Sequence, residues 1–239
     1  MGKLIFADKE IEIKAPVIRY DEPNGYSFYK GNYKERKVSF DELKKEINMF
    51  VLHHSVTYTA KETYNGLLGR RLSVVFIIDD DNKDGFATIY QCLNGSDIGY
   101  SHKPYNQAGP GVEISYRPDA WINPNLYSDD KIKKNNVQKH EIMQDKIHGM
   151  NLKCFSPTEA QVNSCISMLT GFCKLFDMEA SFPKDKDGHI SKTIVKNPKG
   201  LVNHYMITGE KVDPLGFPSQ FVEDSINEKL KQLYQCNPE

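Results

Sequence analysis

Three residues late in the chain have side chains and spacing suited to binding a metal ion. His204, Lys211 and Asp213 fall within ten consecutive positions of the segment 200–218, GLVNHYMITGEKVDPLGFP. A histidine and a carboxylate nine positions apart, joined by a loop that contains glycine, can offer a nitrogen and an oxygen to the same divalent cation. Because zinc with three protein ligands keeps its fourth position for water, we expect a third ligand elsewhere in the chain.

The best third ligand lies far upstream, where an apolar run ends in two histidines. Residues 48–57 read NMFVLHHSVT and predict a buried strand that carries His53 at its carboxyl end. Successive side chains of a strand point to opposite faces, so His53 and His54 cannot both bind one ion. The sequence therefore predicts a site made of His53, His204 and Asp213, with His54 in a structural or supporting role.

Four blocks of sequence, in this order, resemble one known family. The first block is the apolar-His-His-Ser run at His53, and the last is the His…Lys-x-Asp-Pro pattern that ends at Pro214. The two blocks between them are SVVFIIDDDNKDGFATIY at 73–90 and GVEIS at 111–115, and the segment YSHKPYN at 100–106 separates those two. Together they resemble the zinc-dependent N-acetylmuramoyl-L-alanine amidases, over residues 48–218. That superfamily also includes amidase-type phage lysozymes, muropeptide-recycling amidases and peptidoglycan recognition proteins.

The resemblance implies a fold and a cofactor. The fold would be α/β (α+β), a single amidase-like domain with a central mixed β-sheet flanked by helices. The cofactor would be Zn²⁺, and of the two adjacent histidines the family motif selects His53. Glu113 lies between two apolar residues, a pattern that on its own indicates a carboxylate on the surface of an amphipathic strand. The resemblance implies instead that Glu113 points into the cleft and acts as the general base.

The remaining candidates are polar residues around the expected cleft. Lys211 precedes a metal ligand by two positions, where an ammonium group can stabilise an oxyanion; the alternative is a surface lysine. His102 and Asn106 belong to the block that faces substrate in relatives, although His102 is almost equally a loop histidine bonded to backbone. Arg71 and Arg70 are candidates for binding the carboxylates of a peptide stem. The simpler interpretation is that both arginines are solvated at the surface.

Composition restricts the class of protein. The chain has 239 residues and a net charge of −1, which gives no basis for broad electrostatic binding to nucleic acid or to anionic membrane. Residues 1–14 have only a four-residue apolar run, and no stretch approaches a membrane span, so we expect cytoplasmic synthesis without a signal peptide and action on the wall after release. The five cysteines contain no CxxC pair and predict reduced, mostly buried thiols.

The elements around this core follow from periodicity and capping signals. An N-terminal extension (1–38) begins with an alternating strand or hairpin arm, and a capping box at Ser39 starts a short helix. Residues 117–149 predict an inserted polar loop with some helix, in which His140 and His148 are exposed. A second capping box at Ser156 predicts a long helix to Phe176, and a final helix covers 218–235.

The resemblance, together with the candidate ligands, implies a zinc-dependent amidase that cuts between N-acetylmuramic acid and L-alanine of peptidoglycan. The favoured form is a lytic enzyme of the phage-endolysin kind. A cytosolic amidase acting on soluble muropeptides and a non-catalytic peptidoglycan-recognition module are the alternatives. We expect a monomer whose partners are peptidoglycan or muropeptides.

Overall fold

A computed structural model describes residues 1–235 as ten strands and five α-helices. The strands are β1 (Gly2–Phe6), β2 (Lys9–Ile13), β3 (Val17–Arg19), β4 (Met49–Ser55), β5 (Phe76–Ile78), β6 (Ile89–Gln91), β7 (Gly111–Ser115), β8 (Ile142–Ile147), β9 (Met150–Phe155) and β10 (Gly200–Asn203). The helices are α1 (Phe40–Glu46), α2 (Ala60–Gly69), α3 (Asp129–Asn135), α4 (Glu159–Phe176) and α5 (Ser219–Gln235).

Six strands form one mixed sheet in the order β10-β4-β7-β5-β6-β3. Strands β10, β4, β7 and β5 run parallel, whereas β6 is antiparallel to β5. Every residue of β4 is buried, as expected for a central parallel strand covered on both faces. The predicted α/β architecture with a central mixed sheet is confirmed, and the carboxyl ends of four parallel strands meet at one edge.

The two faces of the sheet pack against different helices. On one face Phe50 contacts Phe76 of the sheet and Phe172 of α4, with ring centroids 5.9 and 4.9 Å apart. On the other face α2 packs over Ile77, in a smaller cluster that includes Leu67. Alternation therefore sends His54 toward the α4 face and His53 toward the α2 face, as the strand pattern predicts.

The N-terminal segment 1–38 begins with a hairpin, β1–β2, whose strands pair antiparallel, and its third strand, β3, joins the edge of the main sheet. Along β1, two side-chain amides make backbone hydrogen bonds that a neighbouring strand would otherwise make. Gln91 exchanges hydrogen bonds with both backbone groups of Ile5, and Asn94 does the same with Ala7. These four bonds satisfy the edge of the hairpin and attach it to the sheet.

Residues 117–149 differ from the predicted loop. They contain α3 and lead into a β-hairpin, β8–β9, that continues to Phe155. Most of β8 is exposed and its sequence, IMQDKI, lacks clear alternation, so periodicity does not mark it as a strand. His140 was expected to be exposed but is buried, because its two ring nitrogens bond to Asp80 and to the Ser156 carbonyl.

The helix starts are set by capping residues. Ser39 and Glu42 form the predicted capping box of α1. In α4 the box is made by Thr158 and Gln161, two residues later than predicted from Ser156. Gln161 also bonds to two backbone carbonyls, Asp79 and Ser115, and so fixes the start of α4 against the sheet.

The four cysteines among the described residues are free and buried, as predicted, and Cys236 lies outside those residues. Within residues 1–235 no helix is both long and apolar enough to cross a membrane.

Candidate metal centre

The candidate centre forms where β4 and β10 run side by side. Their register pairs Asn203 with Leu52, so His204, the next residue, emerges beside His53. His204 begins a short 3-10 turn, after which the chain returns through a loop to Asp213. The backbone N–H of Tyr205 donates to the Asp213 carbonyl at 2.9 Å and closes that loop. The three predicted ligands are therefore brought together.

The ligand atoms of these residues converge within bonding distance of a common point. The Nδ1 atoms of His53 and His204 are 3.0 Å apart, and Oδ2 of Asp213 lies 3.1 Å from the first and 2.9 Å from the second. Ligands bonded at 2.0–2.1 Å in a tetrahedral zinc site are separated by about 3.3 Å. Among residues 1–235 this is the one cluster of at least three histidine, cysteine or acidic side chains close enough to share an ion.

The chemistry of the three side chains fits a zinc ion. Burial, together with the neighbouring His204, lowers the pKa of His53 to about 4, so its imidazole is neutral and able to ligate near pH 7. Burial raises the pKa of Asp213, but hydrogen bonds from His204 and His53 outweigh it and hold that pKa well below its ordinary value. If both Nδ1 atoms donated to the one carboxylate oxygen, their hydrogens would face each other across 3.0 Å. A cation at this point removes that conflict, and two nitrogens with one oxygen are ligands that zinc accepts.

Glu113 lies directly beside this centre. It is the register partner of His53 on the neighbouring strand β7, so the two side chains share the α2 face of the sheet. Burial and the nearby Asp213 raise its pKa from 4.5 to about 8, while the charges of Arg70 and Lys211 act in the opposite direction. Its buried Oε2 has no hydrogen-bond partner within residues 1–235. A buried carboxylate with an elevated pKa is well suited to accept a proton near neutral pH.

Two cationic side chains act on the centre from the solvent side. Lys211 is exposed, and its charge contributes to lowering the pKa of His53 as well as that of Glu113. Arg70, at the end of α2, is the arginine whose charge reaches Glu113; it donates from Nε to the Gly66 carbonyl at 3.1 Å. Arg71 has a left-handed backbone with φ of 56° and an exposed side chain. The structure thus associates Arg70 with the centre, and a substrate role for Arg71 stays a prediction.

His102 lies next to the centre, but both of its ring nitrogens are hydrogen-bonded within its own loop. Its ring is 5.7 Å from that of His53, and Gly111 leaves the space that the ring fills. Nδ1 bonds to the Ser101 hydroxyl at 2.8 Å and Nε2 to the Gly109 carbonyl at 3.2 Å, while Asn106 accepts the His102 backbone N–H at 2.8 Å. These contacts make His102 and Asn106 supports of the cleft wall, and binding of substrate by either stays a prediction.

The loop that carries Asp213 is held from below by two residues at the strand ends. His54 accepts the backbone N–H of Leu215 at 3.0 Å, and the Tyr116 hydroxyl donates to the carbonyl of the same residue. Burial lowers the pKa of His54 to about 4, which keeps Nδ1 free to accept. Sequence reasoning left His54 a supporting role, which this contact supplies, and it missed Tyr116. Alternation along the strands could have indicated Tyr116, because it follows Ile114, the register partner of His54, by two positions and therefore lies on the same face of the sheet.

Comparison with known proteins gives a match of fold. No family model matches the sequence, and no curated protein matches it significantly. Among solved structures the chain is similar to hydrolase AmiA from Staphylococcus aureus, with 12% identity, a TM-score of 0.51, and coverage of 92% of this chain and 85% of that one. It also aligns with N-acetylmuramoyl-L-alanine amidase LysC from Clostridium intestinale, with 13% identity, a TM-score of 0.48, and coverage of 90% and 99%. At this identity the likeness to the AmiA structure is one of fold alone, and it agrees with the α/β fold that the resemblance implies.

Proposed function

We propose that this chain is a zinc-dependent N-acetylmuramoyl-L-alanine amidase that acts on peptidoglycan, in the manner of a lytic endolysin. The observation that carries the proposal is the convergence of His53, His204 and Asp213 at 2.9–3.1 Å, with Glu113 as the register partner of His53. A triad of metal ligands on its own would be equally consistent with a structural metal site and with a catalytic one. A buried base on the adjacent strand adds what hydrolysis requires.

Each residue has a distinct role in the proposed reaction. His53, His204 and Asp213 would hold Zn²⁺, which supplies a Lewis acid and lowers the pKa of water to about 7. Glu113 accepts a proton from the attacking water and returns it to the departing amide nitrogen. Its burial beside a carboxylate makes it a stronger base than an exposed glutamate.

Lys211 stabilises the negative charge that develops on the substrate carbonyl oxygen. Its ammonium group is exposed and close enough to influence the pKa of both His53 and Glu113. One well-placed donor to an oxyanion is typically worth about 3 kcal/mol in the transition state. Arg70 adds a second positive charge on the same side and favours a substrate whose peptide carries carboxylates.

The test is digestion of purified peptidoglycan by the zinc-loaded protein, with and without a chelator, followed by mass spectrometry. We expect peptides with a new N-terminal L-alanine, together with unpeptidated glycan, lost with chelator and restored by zinc. Soluble muropeptides form a second substrate arm, since cleavage there alone would replace the lytic role with a recycling one. No product in either arm, from protein with stoichiometric zinc, would refute the amidase and favour a recognition module.

A further inference from the structure

The inserted hairpin β8–β9 reaches the loop that carries Lys211 and Asp213. Its turn is Ile147-His148-Gly149-Met150, in which φ is 50° at His148 and 80° at Gly149. Positive φ at both central positions is the geometry of a two-residue type I′ turn. The turn places the His148 side chain at the tip of the hairpin, where it reaches the backbone of Lys211.

His148 bonds directly to the backbone of the proposed oxyanion-stabilising lysine. Its Nε2 donates to the Lys211 carbonyl at 3.0 Å. The histidine is itself fixed, because its backbone N–H donates to the Lys192 carbonyl at 2.9 Å and its ring lies edge-on to Tyr205 at 6.4 Å. Lys192 in turn pairs with Asp145 of the same hairpin at 3.0 Å.

Among the residues that the structure describes, this bond is the one hydrogen bond that reaches the outer half of the loop, residues 209–212, from outside the loop. Within the described residues, the other hydrogen bonds of 209–212 stay inside the loop: the Lys211 N–H donates to the Thr208 carbonyl, and the Glu210 N–H donates to the Thr208 hydroxyl. The inner half is held differently. The Asp213 and Leu215 carbonyls accept from Tyr205 and Tyr116. The Leu215 and Gly216 N–H groups donate to His54 and Asp145.

We infer that His148 is a positioning residue for Lys211, supplied by the insertion rather than by the amidase core. The metal ligand Asp213 is anchored without it, so zinc binding does not depend on the hairpin tip. Lys211 does depend on it. The inference rests on the proposed function for its catalytic meaning, since a cation that acts only on developing charge changes kcat more than KM.

The experiment compares two substitutions that differ in reach. Asparagine tolerates the positive φ of this turn, and its shorter amide cannot reach the Lys211 carbonyl, so His148→Asn removes the donor without straining the backbone. The terminal amide of glutamine lies about as far from Cβ as histidine Nε2, so His148→Gln restores a donor. Gln144→Ala is the matched control, because Gln144 is exposed on the same hairpin and its side chain makes no hydrogen bond among the described residues.

Two readouts are taken on zinc-loaded protein. The first is hydrogen–deuterium exchange of a peptide covering 208–213, for which we expect faster exchange in His148→Asn, wild-type rates in His148→Gln, and no change at 200–204. The second is turnover of peptidoglycan, for which we expect kcat to fall about five- to tenfold with KM and zinc content unchanged, as for loss of one hydrogen bond.

These readouts separate the inference from the proposed function. If the wild type lacks amidase activity but His148→Asn still loosens 208–213, the positioning role stands and the amidase proposal fails. Unchanged exchange in His148→Asn overturns the positioning role whatever the activity. Wild-type kcat in a His148→Asn protein with loosened 208–213, or no recovery in His148→Gln, overturns it as well.

Discussion

Glu113 shows how a single residue can be placed at a cost to stability. It is 9% exposed, and one of its oxygens has no partner within residues 1–235. Its ionised form is therefore poorly solvated, which raises the pKa to about 8. An amide or an apolar side chain would fit the same space at lower cost to stability, so this cost is in keeping with the proposed role of Glu113 as a base.

We predict that Glu113→Gln abolishes turnover and stabilises the zinc-free protein at alkaline pH. The folded pKa of about 8 exceeds the ordinary value of 4.5, so the folded state binds more protons and the wild type loses stability as pH rises from 4.5 to 8. The loss is about 1.4 kcal/mol per pH unit in that window, and glutamine escapes it. Urea unfolding at pH 4, 6 and 8.5 measures the difference. A constant difference between variant and wild type across these pH values would contradict the buried, ionisable Glu113.

A second residue-scale prediction concerns Lys211. We expect Lys211→Ala to lower kcat about 100-fold, the equivalent of about 3 kcal/mol, while the protein keeps its zinc. Lys196→Ala is the control, since Lys196 is also exposed and makes no ion pair among the described residues. Turnover and metal content are measured on the same preparations. Unchanged turnover in Lys211→Ala would remove this residue from the mechanism.

At the scale of elements, α2 is attached to the strand ends by a cluster of buried hydroxyl groups. Thr63 of α2 bonds to Ser55 of β4 at 3.0 Å, to Ser115 of β7 at 2.9 Å and to Thr57 at 2.6 Å. Ser55 and Ser115 lie two positions beyond His53 and Glu113, on the same face of the sheet. The cluster therefore fixes the helix that carries Arg70 relative to the metal centre.

We predict that Thr63→Val destabilises the protein by about 2–3 kcal/mol, because valine keeps the shape but removes the bonds to Ser55 and Thr57 and leaves the buried Ser115 hydroxyl without its side-chain partner. Thr170→Val is a matched control. Thr170 of α4 bonds to the carbonyl four residues earlier, as Thr63 does, but makes no other hydrogen bond among the described residues. We expect that change to cost less than about 1 kcal/mol in urea unfolding. Equal losses in both variants would show that the hydroxyl cluster contributes nothing.

The sequence predicts these elements unevenly, for physical reasons. Strand β4 is recognisable because both of its faces are buried and its first four residues are all apolar. Hairpin β8–β9 is not, because its exposed positions admit any residue and its His-Gly turn is not the common Asn-Gly signal. The start of α4 was placed two residues early, because Ser156 and Thr158 both precede a plausible capping partner.

At the scale of the whole molecule, the centre joins segments far apart in sequence. Periodicity predicts that His53 lies at a strand end, and spacing with the resemblance selects His204. The strand before His204, β10, is not predicted, and its parallel pairing with β4 brings the two histidines together. The choice between Arg70 and Arg71 cannot be made from sequence, because it depends on one left-handed residue after α2. The support from His148 is hidden for a related reason, since this residue lies in the segment 117–149, outside the matching motifs.

Because its ligands come from β4, from the end of β10 and from the following loop, zinc should act as a cross-link for the whole fold. An ion that binds only the folded state stabilises it by about 2.7 kcal/mol at 100 times its Kd, which for a chain of this size raises Tm by about 5–10 °C. We expect a chelator to remove this increment and added zinc to restore it. His53→Ala and Asp213→Ala should bind no zinc, and their Tm should be insensitive to the chelator. His140→Ala serves as a control that loses a buried hydrogen bond to Asp80 but keeps the three ligands, so its Tm should fall and still respond to zinc. Full zinc occupancy in Asp213→Ala would show that the ion is held by other residues, whatever the activity of that variant.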